Sequence, residues 1–454
     1  MKSKYTLGLN ILHADSSACL FKDNKIVFAI EEERVTRIKH DSKFPFESIK
    51  LCLKEAQIGI SDIDVITINN NPRSSIFFKI IFSIKNVYNF SLLISKIRNF
   101  LKKKTVLKHL KRISNNKFFN GKIVHVDHHK SHIYSNFFYN RFKDSVHVSV
   151  DGFGDFASTS YGIYEGAEVK IKKKILFPHS LGIFYQAMTQ YLGFRNYGDE
   201  YKVMGMAAYG KTNYDSLIEK IVNYKNFFNF NLDLDYFTHH KTNIFNEDDY
   251  GKISFNNLYS TQLISLLGES RGPNQEIAQY HKDIAKSVQN IYETTLYQLL
   301  EDLFQKYKIK NLSLSGGCAM NSLANGKIVK NTGFENIYIS PNPGDAGASV
   351  GSCLSFLSNK YSNFNNFSPY LGSQYDNNYI EEILKQKNFN KKYKIQFIRD
   401  EGLFEFTAEL LNQSNIVSWF QNRAEWGPRA LGNRSILADP RIKNISEFLN
   451  KKIK

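Results

Sequence analysis

The segment that most constrains the fold runs from Glu276 to Asn321. Apolar residues Ile277, Ile284, Val288, Ile291, Leu296 and Leu300 recur at helical spacing as far as Tyr307. The chain then passes through Lys308-Ile-Lys-Asn into a short apolar strand, Leu312–Leu314, which ends at Ser315-Gly316-Gly317. Helix, strand, glycine turn and helix is the unit of α/β folds, and such folds place polar sites at the carboxyl ends of their strands. Further strands are expected at Tyr5–Leu12, Cys19–Phe21 and Lys25–Ile30, as a meander, and at Val124–Asp127 and Val146–Asp151, each of the last two ending in polar residues. No internal sequence repeat is evident.

A chain of 454 residues is too long for one ordinary core, so two or three domains are expected. The stretch around Ser358 to Ser373, rich in Asn, Ser, Tyr and Pro, reads as a linker. Cys19, Cys52, Cys318 and Cys353 form no CxxC pair, which suits a reducing compartment, and Met-Lys-Ser-Lys-Tyr at the start lacks a signal sequence. The reading is cytoplasmic. Ser75 to Ile94 is the most apolar region, but Lys79, Lys85 and Asn86 interrupt it, so no membrane span is expected. A net charge of +17 invites a nucleic-acid reading, and Lys102, Lys103, Lys104, Lys108, Lys111 and Arg112 form a basic run. Lysine is abundant throughout, however, and the run fits a solvated helix face with Phe100, Val106, Leu107 and Leu110 turned inward. No specific nucleic acid is expected.

Several groups of residues carry chemistry. His128 and His132 are four apart, so on a helix both imidazoles face one side; Asp151 and Asp345 supply hard oxygen donors. Two imidazoles and two carboxylates suit Fe²⁺, with Mn²⁺ and Zn²⁺ as alternatives. The zinc-protease HExxH pattern is excluded, because His129 stands where its glutamate belongs. Ser315, Gly316 and Gly317 form a turn able to cradle phosphate, with Asn321 close behind and Gly344 beside Asp345. Lys202 can neutralise a phosphate or simply be solvated. His13 and Asp15, followed by Ser16 and Ser17, fit either turn chemistry or proton transfer. Near the C-terminus, Arg429, Arg434 and Arg441 are anion forks or partners of Glu425 and Asp439.

Taken in order, these blocks resemble the O-carbamoyltransferases typified by NodU and CmcH. The resemblance rests on Leu7 to Ala18, Asp127-His-His-Lys-Ser-His132, Asp151-Gly-Phe-Gly-Asp155, Gly198 to Gly210, Ser315 to Asn321, Pro341 to Gly347 and Glu425 to Arg441. It implies an actin-like ATPase fold, a duplicated RNase H-like large domain, followed by a YrdC-like α+β domain. The expected boundaries are 1–362 for the large domain, 363–374 for the linker and 375–454 for an incomplete small domain. The resemblance makes His128, His132, Asp151 and Asp345 the metal ligands. It places Ser315, Gly316, Gly317, Asn321, Gly344 and Lys202 at a nucleotide. His13 becomes the base that takes the acceptor proton, with Asp15 beside it.

The implied reaction moves a carbamoyl group from carbamoyl phosphate, through an ATP-dependent carbamoyl adenylate, onto a hydroxyl of a sugar, oligosaccharide or small natural product. Mg²⁺ accompanies the ATP. Arg429, Arg434 and Lys454 are implied to hold carbamoyl phosphate and ATP in the small domain. Family members continue past this point into Arg-Glu-x-Phe-Arg-Pro, whereas the sequence here stops at Ile453-Lys454. The expectation is therefore a truncated small domain, weak in adenylate formation or completed by a second chain. An inactive relative that keeps nucleotide binding and a tRNA-modifying protein are the alternative functions.

Overall fold

Residues Tyr5–Asn10 (β1), Ser17–Lys22 (β2) and Lys25–Glu31 (β3) are apolar in near-continuous runs, so these strands are covered on both faces rather than on one. They form an antiparallel meander in which Leu7 opposes Leu20 and Leu20 opposes Phe28. Ile63–Ile68 (β4) adds parallel to β1, and Lys122–His125 (β5) adds parallel to β4, giving the order β3-β2-β1-β4-β5. The structure, a computed structural model, describes residues 4–11, 13–85, 106–113, 118–136, 142, 144–165, 168–247, 253–361, 364, 368–386 and 389–453. Chain contacts separate it into two units, Met1–Phe367 and Ser368–Lys454.

The second half of the first unit repeats this plan. Val146–Gly154 (β6), Ala157–Glu165 (β7) and Glu168–Leu176 (β8) make another antiparallel meander. Two short hairpins follow, Val222–Tyr224 (β9) with Phe230–Leu232 (β10), and Phe245–Glu247 (β11) with Ile253–Phe255 (β12). Asn311–Ser315 (β13) then adds parallel to β6, and Asn336–Tyr338 (β14) parallel to β13, so the order is β14-β13-β6-β7-β8. Counted along the chain, both sheets read third, second, first, fourth, fifth strand. That shared topology is the duplicated RNase H-like plan of the actin-like fold.

Each sheet has its own core. Leu7, Leu9, Ile66 and Ile68 pack with Ile49, Val106 and Leu110 in the first half. In the second, Val146, Val148, Leu312 and Leu314 pack with Phe184 and Met188 of the helix Leu181–Tyr191 and with Ile284, Val288, Leu296 and Leu300 of the helix Gln279–Tyr307. Two sequence assignments need correction. Ile277 precedes that last helix and is 39% exposed. Leu107 is 53% exposed, because the helix Val106–Ile113 turns Val106 and Leu110, four residues apart, into the core with Ile113 packed against it. Phe100, Lys102, Lys103 and Lys104 lie outside the described residues.

The second unit carries the helices Asn377–Gln386, Asp400–Asn412 and Ile445–Ile453 and one hairpin, Val417–Phe420 (β15) with Arg434–Leu437 (β16). Trp426 is buried in it, its backbone N–H donated to Pro369 O at 2.7 Å. Among the described residues no helix is long and apolar enough to cross a membrane.

Candidate functional site

His128 and His132 sit on the short helix His128–Ser135, which Asp127 caps by accepting the Lys130 N–H at 3.1 Å. Four residues span about one turn, so both imidazoles leave the same face. Asp151 comes from β6, and Asp345 from the loop before the helix Ala348–Leu357. All four side chains are buried, and one ligand atom from each lies within 4.8 Å of the others. His128 Nε2 is 3.0 Å from His132 Nε2 and 3.1 Å from Asp151 Oδ2; His132 Nε2 is 3.2 Å from Asp345 Oδ1.

Two imidazole nitrogens aimed at one another and at two carboxylates form a negative, dehydrated pocket whose donor set fits a divalent transition cation. His132 Nδ1 donates to Pro343 O at 3.2 Å, which fixes the ring with its Nε2 facing the cluster. Burial favours a neutral Asp151, yet hydrogen bonds and charge from His128 and His132 hold it well below the usual carboxylate range. His129 points elsewhere, to Ser149 Oγ at 2.9 Å, and burial together with His128 pushes it down to about 3.

His13 reaches the same centre from the β1–β2 turn. Its Nδ1 lies 2.7 Å from Asp345 Oδ2, on the carboxylate oxygen that does not face His132. Asp15, two residues on, turns away and binds His40 Nδ1 at 2.6 Å. His40 was not anticipated from the sequence. Its only signal there was proximity to the charged run Glu31 to Lys39, which now has definite roles. Glu31 accepts from Asn342 Nδ2 and Arg34 Nε, tying that run to the Asp345 loop; Glu32 caps the helix Phe46–Glu55 through the N–H groups of Glu47 and Ser48. Asp15, Glu33 and His40 also lie within 4.8 Å of one another, but their polar atoms engage each other and Arg34.

The expected nucleotide turn adjoins the cluster. Gly317 donates its N–H to Asp151 Oδ1 at 2.9 Å, and Gly316 donates to Pro343 O at 2.8 Å, so the turn touches both the end of β6 that carries Asp151 and the loop that carries Asp345. Gly344 faces Met320 of that turn. Asn321 caps the helix Ser322–Asn325 and exchanges two 3.0 Å bonds with Gln289. Lys202 pairs with Asp199 at 2.8 Å and lies over the Phe194 ring. Glu200, also unanticipated, is half-buried within electrostatic reach of Cys318 and His40, and burial raises its carboxyl to about 7.

In the second unit, Glu425 is the hub of the Arg-rich turn. Its Oε1 accepts the N–H groups of Leu431, Asn433 and Arg434 at 2.8 to 2.9 Å, and its Oε2 binds Arg434 Nε at 2.5 Å. Arg441 is held by Asp439. Arg429 is exposed and has no ion pair among the described residues, while Lys454 lies outside them.

Comparison with known proteins places these features in a family. Residues 5–354 match the model described as carbamoyltransferase N-terminus, and residues 408–454 match carbamoyltransferase C-terminus. The uncharacterized protein sll1178 of Synechocystis sp. is 34% identical over 99% of this chain and 73% of its own length. The nodulation protein NolNO of Sinorhizobium fredii is 31% identical over 98% of this chain, which spans only 61% of that relative. Among solved structures, HypF of T. kodakarensis superposes at a TM-score of 0.38 with 13% identity, covering 79% of this chain and 48% of its own. The ROK hexokinase of Thermus thermophilus gives 0.38 with 10% identity, over 78% of this chain and 100% of its own. With both family models matched in order and relatives aligned over nearly its whole length, this chain belongs to the carbamoyltransferase family.

Proposed function

We propose that the protein is an O-carbamoyltransferase, moving a carbamoyl group from carbamoyl phosphate, through an ATP-dependent carbamoyl adenylate, onto a hydroxyl of a sugar, oligosaccharide or small natural product. The observation that carries this reading is the join between His13 and the buried four-residue cluster through Asp345, at 2.7 Å. A divalent cation held by His128, His132, Asp151 and Asp345 would act there as a Lewis acid on the carbamoyl or phosphoryl oxygen. With its Nδ1 2.7 Å from Asp345 Oδ2, His13 would use Nε2 to take the proton of an incoming hydroxyl. His13 takes the hydroxyl proton as the acceptor oxygen bonds to the carbamoyl carbon. The bond from that carbon to the phosphoryl oxygen breaks, and AMP leaves with its electron pair. The glycine turn Ser315 to Gly317 lets the backbone approach the phosphate closely, its Gly316 and Gly317 N–H groups being already taken by Pro343 O and Asp151 Oδ1, and Arg429, exposed and without an ion pair among the described residues, offers a guanidinium for anion capture in the second unit.

The test combines two variants. His132→Ala is expected to lose the near-stoichiometric metal found in wild type by elemental analysis. His13→Ala is expected to keep its metal while transfer from synthetic carbamoyl adenylate slows roughly 10²- to 10⁴-fold. Equal metal in wild type and His132→Ala sinks the metal assignment, and unchanged transfer in His13→Ala sinks the base.

A further inference from the structure

Two residues near His13 adopt a backbone conformation that side chains normally avoid. Asp15 has φ +57° and His40 has φ +57°, both in the left-handed region, which is unfavourable for a residue with a Cβ. They face each other, joined by the 2.6 Å contact from His40 Nδ1 to Asp15 Oδ1. Such strain persists only where surrounding contacts over-determine it, and here they do. Asn10 Nδ2 donates to the carbonyls of Ala14 and Asp15 at 2.9 and 2.8 Å, and Ser16 N–H donates to Asp41 O at 2.8 Å. The turn bearing His13 is thus stitched to the loop bearing His40.

His40 is itself fixed from two directions. Its own N–H is held by Glu33 Oε2 at 2.8 Å. From the other half of the duplicated fold, Tyr197 places its ring edge-on at 4.9 Å, and Gly198, at φ +81°, lies so close that a Cβ there would stand 2.2 Å from His40 Nε2. His40 is therefore where the second half of the unit bears on the turn that carries His13.

We propose that His40 is a positioning residue for carbamoyl transfer: through Asp15 it sets the His13 turn against Asp345, and Tyr197 and Gly198 set His40. The inference rests on the assignment of His13 as the base. It requires a hydrogen-bond donor at the place of Nδ1 rather than an imidazole as such. Asn supplies that donor and tolerates positive φ; Gly tolerates the same φ and supplies no donor; Gln puts its amide where Nε2 lies.

The experiment measures AMP release from synthetic carbamoyl adenylate, with glycerol as the hydroxyl probe, in the full-length wild type and in the His40→Gly, His40→Asn, His40→Gln and His13→Ala variants. Expected are a kcat for His40→Gly at least about tenfold down with KM for the adenylate and metal content unchanged, His40→Asn within about threefold of wild type, and His40→Gln as slow as His40→Gly. Asp15→Ala combined with His40→Gly should be no slower than either alone, since both remove one contact. If His40→Gly keeps full kcat, or loses metal or fold, or if Asn rescues no better than Gln, the positioning role is overturned. If His13→Ala releases AMP like wild type, or wild type does not exceed the uncatalysed rate, the base assignment fails first and this inference with it.

Discussion

Glu425 shows how one buried carboxylate can organise a signature that looks, in sequence, like a row of ligand-binding arginines. Burial works against its ionisation, but the Arg434 guanidinium and the N–H groups of Leu431 and Arg434 outweigh it and hold the carboxyl at about 2. Because that value lies below the ordinary 4.5, the contribution to stability is fully present above pH 4.5 and is lost as pH falls towards 2. Glu425→Gln should cost about 1 to 3 kcal/mol at pH 7, with the gap to wild type closing under acid. Denaturant unfolding at pH 7 and pH 3 checks this, and a gap that does not narrow refutes it. The residue pairing was one of two readings open in sequence, since Arg434 suits phosphate and carboxylate alike. The role of His40 was not legible beyond its place after a charged run: its partner lies 25 residues away, and positive φ leaves no mark on a histidine.

Elements were easier to read than contacts between elements. The helix ending at Tyr307 and the strands starting at Tyr5, Lys25 and Val146 follow from apolar periodicity, which depends only on local burial. The approach of the helix Ala348–Leu357 to the histidine helix does not, because it depends on what is missing. A Cβ on Gly351 would stand 1.8 Å from Ser131 O and 2.7 Å from Ser135 N. Gly351→Ala must therefore push the two helices apart, moving the loop with Asp345 away from His128 and His132. The expected cost is about 1 to 3 kcal/mol of stability together with weaker metal retention. Thermal unfolding and metal analysis after dialysis test both parts, and a variant with wild-type stability and metal would contradict the packing argument.

Across the whole chain, all four proposed metal ligands lie in the Met1–Phe367 unit but come from three separate elements. Binding therefore stabilises that unit as a body. Free metal at a hundredfold excess over Kd is worth about 2.7 kcal/mol, so a chelator should lower the unfolding midpoint of wild type and leave that of His132→Ala unmoved. A midpoint indifferent to chelator would argue against a bound cation. The duplication was legible only through the family resemblance and left no internal sequence repeat, because it is a repetition of backbone path, which many apolar residues satisfy, and not of side chains. The repetition nonetheless has left corresponding corners. Asp15, with φ +57°, turns the first hairpin, and Asp155, with φ +50°, turns the β6–β7 hairpin, where it accepts the N–H of Asn71 and of His128. One corner carries His13, the proposed proton acceptor; the other follows Asp151, a proposed cation ligand. On this proposal the two halves are twins that have divided a labour, and the chemistry lives in the broken symmetry between them.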